Sequence, residues 1–473
     1  MKPFSFFSIL SIFTLFCATG NALPEKPNIV YIMADDLGWS DVGYNGAKFY
    51  ETPNIDKLRA SGIAFTDAYS GASNCMPARA CLMSGMYIPR TQMWTPGSRA
   101  KGETAYMKFL VPRRSDEKGR GTFPSKMRLK PAITSIAEIL NPVGYKTARY
   151  GKWHLGANNQ GFDISDSGGG KPGGTFYGKF DIAEKLTNKS VQFINKHKSE
   201  PFFLYLCHWD VHSPIAAQPE VVKKYQDKLA QKKWARKWNP TYAAMIEAVD
   251  TSVGRVMKAI ENNGLTEKTL IIFTSDNGGD SGATWNAPLK GAKGAFYEGG
   301  IRVPTCMSWP GVIAPGSTSS TPITGVDLMP SLAEISGASL PEMQPIDGES
   351  WLPLLQGKEA LSNRAIFWHF PLYLKGFNYN KLLPIQRTNQ KYWRATPCSV
   401  IRKGDWKLIK FFENKSLQLY NLKDDLGETK DLSKTNLKKT KELHRLLKQW
   451  QGETKAIIPS IPNPDFAPPK KKK

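Results

Sequence analysis

Asn28-Ile-Val-Tyr-Ile-Met33 runs directly into Ala34-Asp35-Asp36, so an apolar stretch of strand length ends in two carboxylates. Three later stretches have the same form: 145–150 before Gly151-Lys152-Trp153-His154, 202–206 before Cys207-His208-Trp209-Asp210-Val211-His212, and 270–274 before Ser275-Asp276-Asn277-Gly278. Their length and their content of β-branched and aromatic residues predict strands. Four strands that each release polar side chains at one end indicate the fold class.

Helical patterns lie between these strands, for instance at residues 133–140 and 243–262. Strands that alternate with helices indicate the α/β class, with a large, mostly parallel sheet sandwiched by helices. In such sheets, ligands bind at the carboxyl ends of the strands. We therefore expect the polar residues that follow the four strands to meet in one site.

The pattern changes after about residue 364. Residues 399–409 and 417–421 predict two strands of a smaller antiparallel sheet, and an apolar stripe around Leu443 and Trp450 predicts one helix. The chain then becomes rich in proline and ends in four lysines. We predict a main domain at 23–364, a smaller C-terminal subdomain at 365–460, and a Pro/Lys-rich tail at 461–473.

Residues 1–22 have the form of a cleavable secretory signal, with a basic start, an apolar run at 4–16 and small residues at Gly20 and Ala22. A buried N-terminal helix and a lipoprotein cysteine at Cys17 are the alternatives. No later apolar run reaches the roughly 18 to 20 residues that span a bilayer. We expect a secreted or periplasmic protein without an integral membrane segment.

The composition contains 41% apolar residues, which excludes a disordered chain. The 64 Lys and Arg residues against 41 Asp and Glu residues leave a formal charge of +23. Residues 99–130 hold ten basic and three acidic residues, and residues 221–240 hold seven basic and one acidic residue. This balance favours a polyanionic partner, of which nucleic acid is one class.

Cys75 stands in the stretch Ser73-Asn-Cys-Met-Pro-Ala-Arg-Ala-Cys-Leu-Met-Ser-Gly85. The proline two residues later suits a first helical turn, which places Cys75 at a helix N-terminus, where negative charge is favoured. Arg79 follows about one turn later and can reach the same place. Both a reactive thiol and a merely buried cysteine fit this pattern. Removal of the signal leaves five cysteines, an odd number, so at least one thiol has another role.

Cys-Met-Pro-Ala-Arg followed by Leu-Met-Ser-Gly closely resembles the type I sulfatase signature of the alkaline phosphatase superfamily, Cys-x-Pro-Ser-Arg with a downstream Leu-Thr-Gly. Ala78 and Ser84 are mild departures from it. The resemblance to secreted bacterial carbohydrate sulfatases and arylsulfatases covers nearly the whole chain after residue 22. Its other blocks are Pro27-Asn-Ile-Val, Asp35-Asp36, Thr52-Pro-Asn-Ile-Asp56, Gly151-Lys-Trp-His-Leu-Gly156, His212-Ser-Pro214, Ser275-Asp-Asn-Gly278, Lys290-Gly-Ala-Lys293, Glu298-Gly-Gly-Ile-Arg-Val-Pro304 and Asp327-Leu-Met-Pro330.

The resemblance implies that a maturation enzyme oxidises Cys75 to formylglycine (3-oxoalanine). In the family, the hydrated aldehyde supplies the nucleophilic oxygen, and re-formation of the aldehyde releases sulfate. The resemblance also implies a bound divalent cation. It further implies that the main domain predicted at 23–364 is the catalytic domain. The implied ligands are Asp35, Asp36, Asp276, Asn277 and the modified Cys75. An all-oxygen set suits Ca²⁺, with Mg²⁺ as the alternative.

The family match also assigns roles to basic residues. Lys152 and Lys293 are expected to hold sulfate oxygens, and Arg79 to brace the formylglycine. His154 is expected beside the formylglycine, where it can take the proton of the hydrate. His212 is the leading candidate for the general acid that protonates the ester oxygen, and Lys293 is the alternative.

The substrate alcohol is not encoded in these blocks, and three segments outside them are expected to contact it: 99–130, 221–240 and 366–398. The last contains Phe367-Trp-His-Phe370 and Tyr392-Trp393-Arg394. His369 is a candidate substrate contact, with aromatic packing as the alternative. Aromatic rings beside cations suit a sulfated sugar. We predict a sulfuric ester hydrolase that acts on a sulfated polysaccharide or its oligosaccharides and not on nucleic acid, with an arylsulfatase as the fallback.

Three alternatives stand beside this prediction. A phosphonate monoester or phosphodiester hydrolase of the same superfamily shares the sheet, and its metal site often adds histidine ligands. An N-sulfatase uses the same apparatus on a glucosamine N-sulfate. A basic, non-catalytic polyanion-binding protein belongs to a different class, and it would keep its main activity after substitution of Cys75 by alanine.

Overall fold

The computed structural model of the chain describes residues 25–96, 104–110, 128–167, 179–234, 238–359, 361, 363–375 and 393–467. The predicted signal at 1–22 lies outside these residues. The same is true of most of the basic segment 99–130, of Tyr392 and of the terminal lysines.

The described chain alternates strands and helices up to residue 355, and strands dominate between residues 365 and 421. The strands are β1 (Asn28–Ala34), β2 (Ile63–Phe65), β3 (Ala68–Tyr69), β4 (Lys146–Gly151), β5 (Ile164–Asp166), β6 (Phe202–Cys207), β7 (Thr269–Ser275), β8 (Thr305–Ser308), β9 (Ser317–Ser319), β10 (Ile323–Thr324), β11 (Ala365–Phe370), β12 (Leu374–Lys375), β13 (Trp393–Ala395), β14 (Cys398–Lys403), β15 (Trp406–Phe411) and β16 (Leu417–Asn421). The helices are α1 (Pro53–Ala60), α2 (Cys75–Ser84), α3 (Ile88–Thr91), α4 (Ile136–Leu140), α5 (Ile182–Lys196), α6 (Pro219–Ala230), α7 (Pro240–Asn262), α8 (Glu298–Ile301), α9 (Leu328–Ser336), α10 (Leu352–Leu355) and α11 (Leu437–Glu453).

An eight-stranded sheet in the order β5-β4-β6-β1-β7-β8-β2-β9 forms the centre of the molecule. Strands β4, β6, β1 and β7 are adjacent and mutually parallel, so their carboxyl ends lie side by side. Strand β8 runs antiparallel to both of its neighbours. The α/β prediction of a mostly parallel sheet is therefore confirmed, and the four predicted strands are its contiguous middle.

Both faces of this sheet are covered by helices. Alternate residues of β1 point to opposite faces, as the two-residue period of a strand requires. Ile29, Tyr31 and Met33 join an apolar cluster with α2, α4, α9 and α10. Val30 and Ile32 join a second cluster with α1, α5, α6 and α7. Burial on both faces explains why the strand reads as a continuous apolar run.

Helix boundaries follow local capping. Helix α4 begins at Ile136, three residues later than its apolar pattern predicts, because Ser135 caps it. The Ser135 hydroxyl accepts from the Glu138 amide, and the Glu138 carboxylate accepts from the Ser135 amide. Helix α7 begins at Pro240 after Asn239, whose side chain accepts from two amides of the first turn.

A four-stranded antiparallel sheet, β11-β14-β15-β16, with helix α11 packed on β14 and β15, follows the large sheet. The predicted small sheet and its helix are thus confirmed. The single strand expected at 399–409 is wrong, since the chain reverses at Gly404-Asp405 and forms β14 and β15. Gly404 has a φ of 56°, a left-handed conformation that glycine adopts without steric cost. The prediction also missed β11, which contains the Phe367-Trp-His-Phe370 stretch.

A buried group of charged side chains, named here the joining cluster, connects the two sheets. It contains three acids and three bases: Asp67, Glu298, Arg302, Arg402, Lys407 and Glu428. Lys407 Nζ lies 2.8 Å from Glu298 Oε1 and 2.9 Å from Glu428 Oε1. Arg302 Nε lies 2.7 Å from Glu298 Oε2. These pairs fix the segment after residue 290 to the four-stranded sheet.

No helix within the described ranges combines the length and the apolarity needed to cross a membrane. The five cysteines after residue 22 are all buried and all free in the same ranges.

Candidate active site

Cys75 is the first residue of α2, with Asn74 as the N-cap, so the predicted position at a helix N-terminus is confirmed. The side chain is buried, and every residue of α2 is buried with it. Cys75 Sγ and carboxylate oxygens of Asp35 and Asp276 lie within 4.8 Å of one another. The helix N-terminus thus faces the carboxyl ends of β1 and β7.

The predicted oxygen ligands meet because β1 and β7 are neighbours in the sheet. Asp35 and Asp36 follow β1, and Asp276 and Asn277 follow β7. The Asp36 amide donates to Asp276 Oδ1 at 3.2 Å, and Asn277 Nδ2 donates to Asp36 Oδ1 at 2.8 Å. All four side chains are almost completely buried.

Each of the three carboxylates is paired with a cation from another element. Lys152 Nζ lies 2.5 Å from Asp35 Oδ2, and Lys293 Nζ lies 2.5 Å from Asp36 Oδ2. Arg79 donates to Asp276 Oδ2 from Nε at 3.0 Å and from Nη2 at 2.8 Å, and its Nη1 donates to the Lys152 carbonyl at 2.6 Å. The formal charges of these six side chains cancel. We name the following set the site cluster: Asp35, Asp36, Cys75, Arg79, Lys152, His154, His212, Asp276, Asn277 and Lys293.

Two buried oxygens of the site cluster have no hydrogen donor in the described structure, namely Asp35 Oδ1 and Asn277 Oδ1. A buried polar atom without a partner is costly, so such oxygens need either a donor or a cation. Asn277 turns its amide nitrogen towards Asp36 and the Gly278 carbonyl, which leaves its oxygen for another partner. Apart from the Cys75 thiol, which would be modified, the atoms that could ligate a metal here are all oxygens. These residues fit a hard divalent cation.

The two candidate histidines approach the carboxylates from different strand ends. His212 Nε2 lies 3.5 Å from Asp36 Oδ2, while its Nδ1 hydrogen-bonds the Ser213 carbonyl. The side chain of His212 is 20% exposed, so it can meet a substrate. His154 adopts a φ of 65°, and its Nδ1 is buried without a hydrogen-bond partner in the described structure.

Burial and the neighbouring cations shift several pKa values in the site cluster. Burial raises the pKa of Asp35 to about 7, against the opposing charge of Lys152. Burial also raises that of Asp36, but Lys293 and the other cations outweigh it and hold the pKa below its ordinary value. Burial, followed by Lys152 and Arg79, lowers the pKa of His154 to about 3, which leaves its imidazole neutral at neutral pH.

Lys293 is held in place through its backbone. Its amide donates to the Gly279 carbonyl at 3.0 Å, and the Gly294 amide donates to the Ser73 carbonyl at 2.7 Å, close to Cys75. Gly294 has a φ of 90°, and a Cβ there would lie 2.3 Å from Arg394 Cδ. Only glycine lets Arg394 approach this closely.

Arg394, which the sequence analysis quoted within Tyr392-Trp393-Arg394 without giving it a role of its own, lies near the site cluster. Burial lowers its pKa, while the charges of Asp280 and Asp36 raise it. It comes from β13, which is distant in sequence from every motif block. The sequence placed it in the 366–398 segment but carried no signal that distinguished it from other arginines.

The structure does not bring His369 into the site cluster, and the expected substrate contact there is wrong. His369 is 1% exposed in β11. Its Nδ1 hydrogen-bonds Ser399 Oγ at 2.7 Å and its Nε2 hydrogen-bonds the Ile457 carbonyl at 2.9 Å. Trp94 and Phe412 pack against the ring. The aromatic-packing alternative therefore describes this residue.

Part of the basic segment 221–240 is also used internally. Lys224 and Lys228 both pair with Glu51, at 2.7 and 2.5 Å. Trp234 and Trp238 pack on Phe49, with ring centroids 5.0 and 5.2 Å away. These lysines and tryptophans stabilise the fold around α6, so the segment offers less free charge than its composition indicates.

Comparisons with known proteins extend these observations. The sulfatase family model matches residues 27–338, and a model of the C-terminal part of N-sulphoglucosamine sulphohydrolase matches residues 292–454. A sulfatase of Formosa agariphila is 32% identical, over 87% of this chain and 85% of the relative. N-acetylgalactosamine-6-O-sulfatase of Bacteroides thetaiotaomicron is 26% identical, over 89% of this chain and 93% of the relative.

A solved structure shows the same architecture. Ps i-CgsB in complex with k-i-k-neocarrahexaose superposes with a TM-score of 0.70 at 29% identity, and the alignment covers 92% of this chain and 95% of that chain. The sulfatase model alone matches well over half of the sequence. On this evidence the chain belongs to the sulfatase family and is a hydrolase of sulfate esters.

Proposed function

We propose that this sulfatase removes sulfate from a sulfated carbohydrate and that Cys75, matured to formylglycine, is its nucleophile. The observation that carries the proposal is the placement of Cys75 Sγ at a helix N-terminus, within 4.8 Å of carboxylate oxygens of Asp35 and Asp276. The formylglycine supplies a hydrated aldehyde whose oxygen attacks sulfur and from which sulfate is released. Overall, water and the sulfate ester give the alcohol and sulfate.

A divalent cation is part of the family's apparatus, and we propose that it is Ca²⁺ in this chain. Asp35, Asp36, Asp276 and Asn277 would hold it together with the modified Cys75. Asp35 Oδ1 and Asn277 Oδ1, both buried and without a hydrogen donor among the described residues, support this assignment, since a hard cation satisfies both. Bound there, it supplies positive charge for the sulfate oxygens. Activity restored after chelation by Ca²⁺ but not by Mg²⁺ is the expected result, and the reverse selectivity would contradict it.

The cations of the site cluster are assigned by what they touch. The Nζ atoms of Lys152 and Lys293 each lie 2.5 Å from a carboxylate oxygen, and both lysines are close enough to Cys75 to interact with it electrostatically. They can therefore hold the sulfate oxygens as negative charge develops in the reaction. Arg79 bonds Asp276 and the Lys152 carbonyl and therefore fixes two other members of the site. It is a positioning residue in this scheme.

The histidines are assigned to proton transfer. His212 presents Nε2 to the cluster and is partly exposed, so we assign it the proton that the leaving alcohol oxygen receives. His154 has a buried Nδ1 that no described residue hydrogen-bonds, and this nitrogen can take the proton that leaves the nucleophilic group. Lys293 is the alternative proton donor to the alcohol.

A comparison of leaving groups separates His212 from Lys293 as the general acid. An aryl sulfate leaves as a stable phenolate and needs little protonation, whereas a sugar alkoxide needs a full proton. His212→Ala should therefore slow sugar desulfation by about 10²-fold or more while it affects aryl sulfate hydrolysis far less. Lys293→Ala, which removes anion binding, should slow both. If His212→Ala instead slowed both reactions equally, His212 would not be the general acid, and the role would be assigned to Lys293.

The carbohydrate substrate is supported by two relatives that this chain covers almost completely, one named for an N-acetylgalactosamine-6-O-sulfate activity and one solved with k-i-k-neocarrahexaose. Arg394 approaches the site cluster and can pair with a second anionic group of such a substrate. Arg394→Gln should raise KM for a sulfated oligosaccharide and leave KM for a small aryl sulfate nearly unchanged. Sulfate release measured over a panel of defined sulfated oligosaccharides tests the substrate class, and release from aryl sulfates alone would overturn it.

An N-sulfate is the second candidate substrate group. The match of residues 292–454 to the C-terminal part of N-sulphoglucosamine sulphohydrolase favours it specifically. The panel should therefore contain glucosamine sulfated only at nitrogen. Faster release from this compound than from any O-sulfated member would select the N-sulfatase function.

We further propose that the enzyme is exported and is matured by a formylglycine-generating enzyme of its host. The basic start, the apolar run at 4–16 and the small residues Gly20 and Ala22 support export. N-terminal sequencing of the secreted or periplasmic protein should begin near residue 23. An intact start at Met1 in active protein would contradict the signal.

A further inference from the structure

A cavity lies between helices α5, α6 and α7, on the face of the large sheet towards which Val30 and Ile32 of β1 point. Its volume is about 290 Å³, and no member of the site cluster lines it. This volume is at the lower end of ligand pockets, which suits a ligand the size of one sugar ring. The cavity has no role in sulfate ester cleavage as described above.

One wall of the cavity carries the buried carboxylate of Asp210. Asp210 is 4% exposed, and its Oδ2 has no hydrogen-bond partner in the described part of the chain. Its backbone carbonyl accepts from the Asp35 amide at 2.8 Å, so the residue is held firmly in place. A fixed carboxylate oxygen that lacks a donor is prepared to accept a hydrogen bond from a ligand hydroxyl.

The other walls combine small apolar side chains with one exposed ring. Ala183, Ala217 and Ala248 leave open space, and Phe180, which is 52% exposed, borders it. An aromatic ring that stands at the edge of this small, mostly apolar cavity can stack on the apolar face of a sugar. Thr251 adds an exposed hydroxyl at the same border.

The charge of the described lining disfavours a sulfated ligand. Among the described residues that line the cavity, Glu184 and Glu247 join Asp210, against one cation, Arg255. Arg255 donates to Asn188 Oδ1 at 2.5 Å, and Glu247 pairs with Lys224. Carboxylates accept hydrogen bonds from neutral hydroxyls but repel sulfate groups. The described lining therefore holds more acidic than basic side chains, which is unfavourable for a sulfate group.

We propose that this cavity binds one unsulfated sugar residue, with Asp210 accepting hydrogen bonds from its hydroxyls and Phe180 stacking on its ring. The loop of residues 211–218 connects the cavity to His212, so the sugar would contact the loop that presents the proposed general acid. Affinity for a single hexose should lie in the millimolar range, since the ligand is small.

Saturation-transfer NMR with D-galactose, D-glucose and N-acetyl-D-glucosamine tests the proposal on the intact protein. Phe180→Ala removes the stacking ring, and Thr251→Trp fills the border of the cavity. Phe466→Ala and Asn262→Trp are the matched controls, because both residues are exposed and neither lines the cavity. We expect transfer to at least one sugar, an affinity at least tenfold weaker in the two cavity variants, and no change in the controls.

Three results would each overturn the proposal. They are no transfer to any of the three sugars at tens of millimolar, transfer that persists in both folded cavity variants, and transfer that inorganic sulfate abolishes. The last would place the sugar in the site cluster instead. Because the experiment measures binding without turnover, its failure is distinguishable from a failure of the sulfatase assignments.

Discussion

The joining cluster and the site cluster bury the same formal charges, three carboxylates against three cationic side chains, yet they differ in completeness. In the joining cluster, Lys407 and its partners Glu298 and Glu428 have no solvent exposure at all. In the site cluster, the side chains of Lys293 and His212 are 10% and 20% exposed. The site cluster also keeps Asp35 Oδ1 and Asn277 Oδ1 without a hydrogen donor in the described structure. In the joining cluster, Glu428 Oε1 likewise has no hydrogen bond among the described residues, but it lies 2.9 Å from Lys407 Nζ, which neutralises its charge.

This difference shows what distinguishes a structural group of buried charges from a functional one. A closed network satisfies its members with one another and resists unfolding, because removal of one partner leaves an uncompensated buried charge. An open network leaves oxygens and cationic side chains to be satisfied by a ligand, which we propose to be a divalent cation and a sulfate group. Substitutions in the two clusters should therefore separate stability from activity.

The largest expected effect is that of Cys75→Ala. Loss of the proposed nucleophile should slow sulfate release by at least about 10⁴-fold, since the remaining groups have no covalent step to assist. The melting temperature should change little. Cys81→Ala is the matched control, because Cys81 is equally buried in the same helix and belongs to neither cluster. Similar activities in Cys75→Ala and Cys81→Ala would contradict the assignment of Cys75 as the nucleophile.

Chelation of divalent cations should have the next largest effect, a loss of about 10³-fold in rate, because the positive charge that offsets the sulfate is removed. The free energy of unfolding should also fall, by about 3 kcal/mol if the cation was present at 100 times its Kd. Thermal melts and sulfate release with and without a chelator measure both. An unchanged rate in exhaustively chelated protein would rule out the cation site.

Two buried lysines provide the direct contrast between the clusters. Lys152→Met should slow turnover on the order of 10²-fold, because a positive charge that binds the sulfate is lost. The free energy of unfolding should change little, because the proposed divalent cation still neutralises Asp35. Lys407→Met should lower the free energy of unfolding by about 3 kcal/mol, because Glu298 and Glu428 lose their common partner. Its kcat below the melting range should stay near the wild-type value. Denaturant titrations and kcat measurements on both variants test this contrast. A large loss of stability in Lys152→Met, or a large loss of kcat in Lys407→Met, would contradict it.

The smallest predicted effect concerns pH and His369. Burial lowers the pKa of His369 from its ordinary value to about 4, so the unfolded chain takes up a proton at a higher pH than the native chain does. Stability from this residue is complete above pH 6.5 and falls as the pH drops, by about 2 kcal/mol between pH 6.5 and 5. His369→Gln should remove that share of the pH dependence. An unchanged dependence in denaturant titrations at the two pH values would refute it.

The parts of the fold that the sequence predicted are those set by local pattern. β1, β4, β6 and β7 read as short apolar runs because both of their faces are buried, and the polar residues after them marked the sheet edge. The position of Cys75 at the start of α2 followed from the proline at position 77. The residues predicted as oxygen ligands and the cationic side chains of the site cluster lie together at the carboxyl ends of these strands, as the sequence predicted.

The parts that were missed depend on contacts between distant residues. Residues 399–409 read as one strand because the turn at Gly404-Asp405 is only two residues long. His369 read as a substrate contact because its bond to the Ile457 carbonyl, 88 positions away, leaves no trace in the sequence. Arg394 reaches the site from β13 across a contact with Gly294 that no local pattern reveals. Distances of this kind are set by the fold as a whole.

Mass spectrometry of the peptide that carries Cys75 tests the central claim most directly. The protein should be produced in a host with a formylglycine-generating enzyme, and its sulfate release should be measured on the same sample. We predict an aldehyde at position 75, in a fraction of molecules that rises in proportion to the specific activity. Fully active protein with an unmodified thiol at Cys75 would contradict the account.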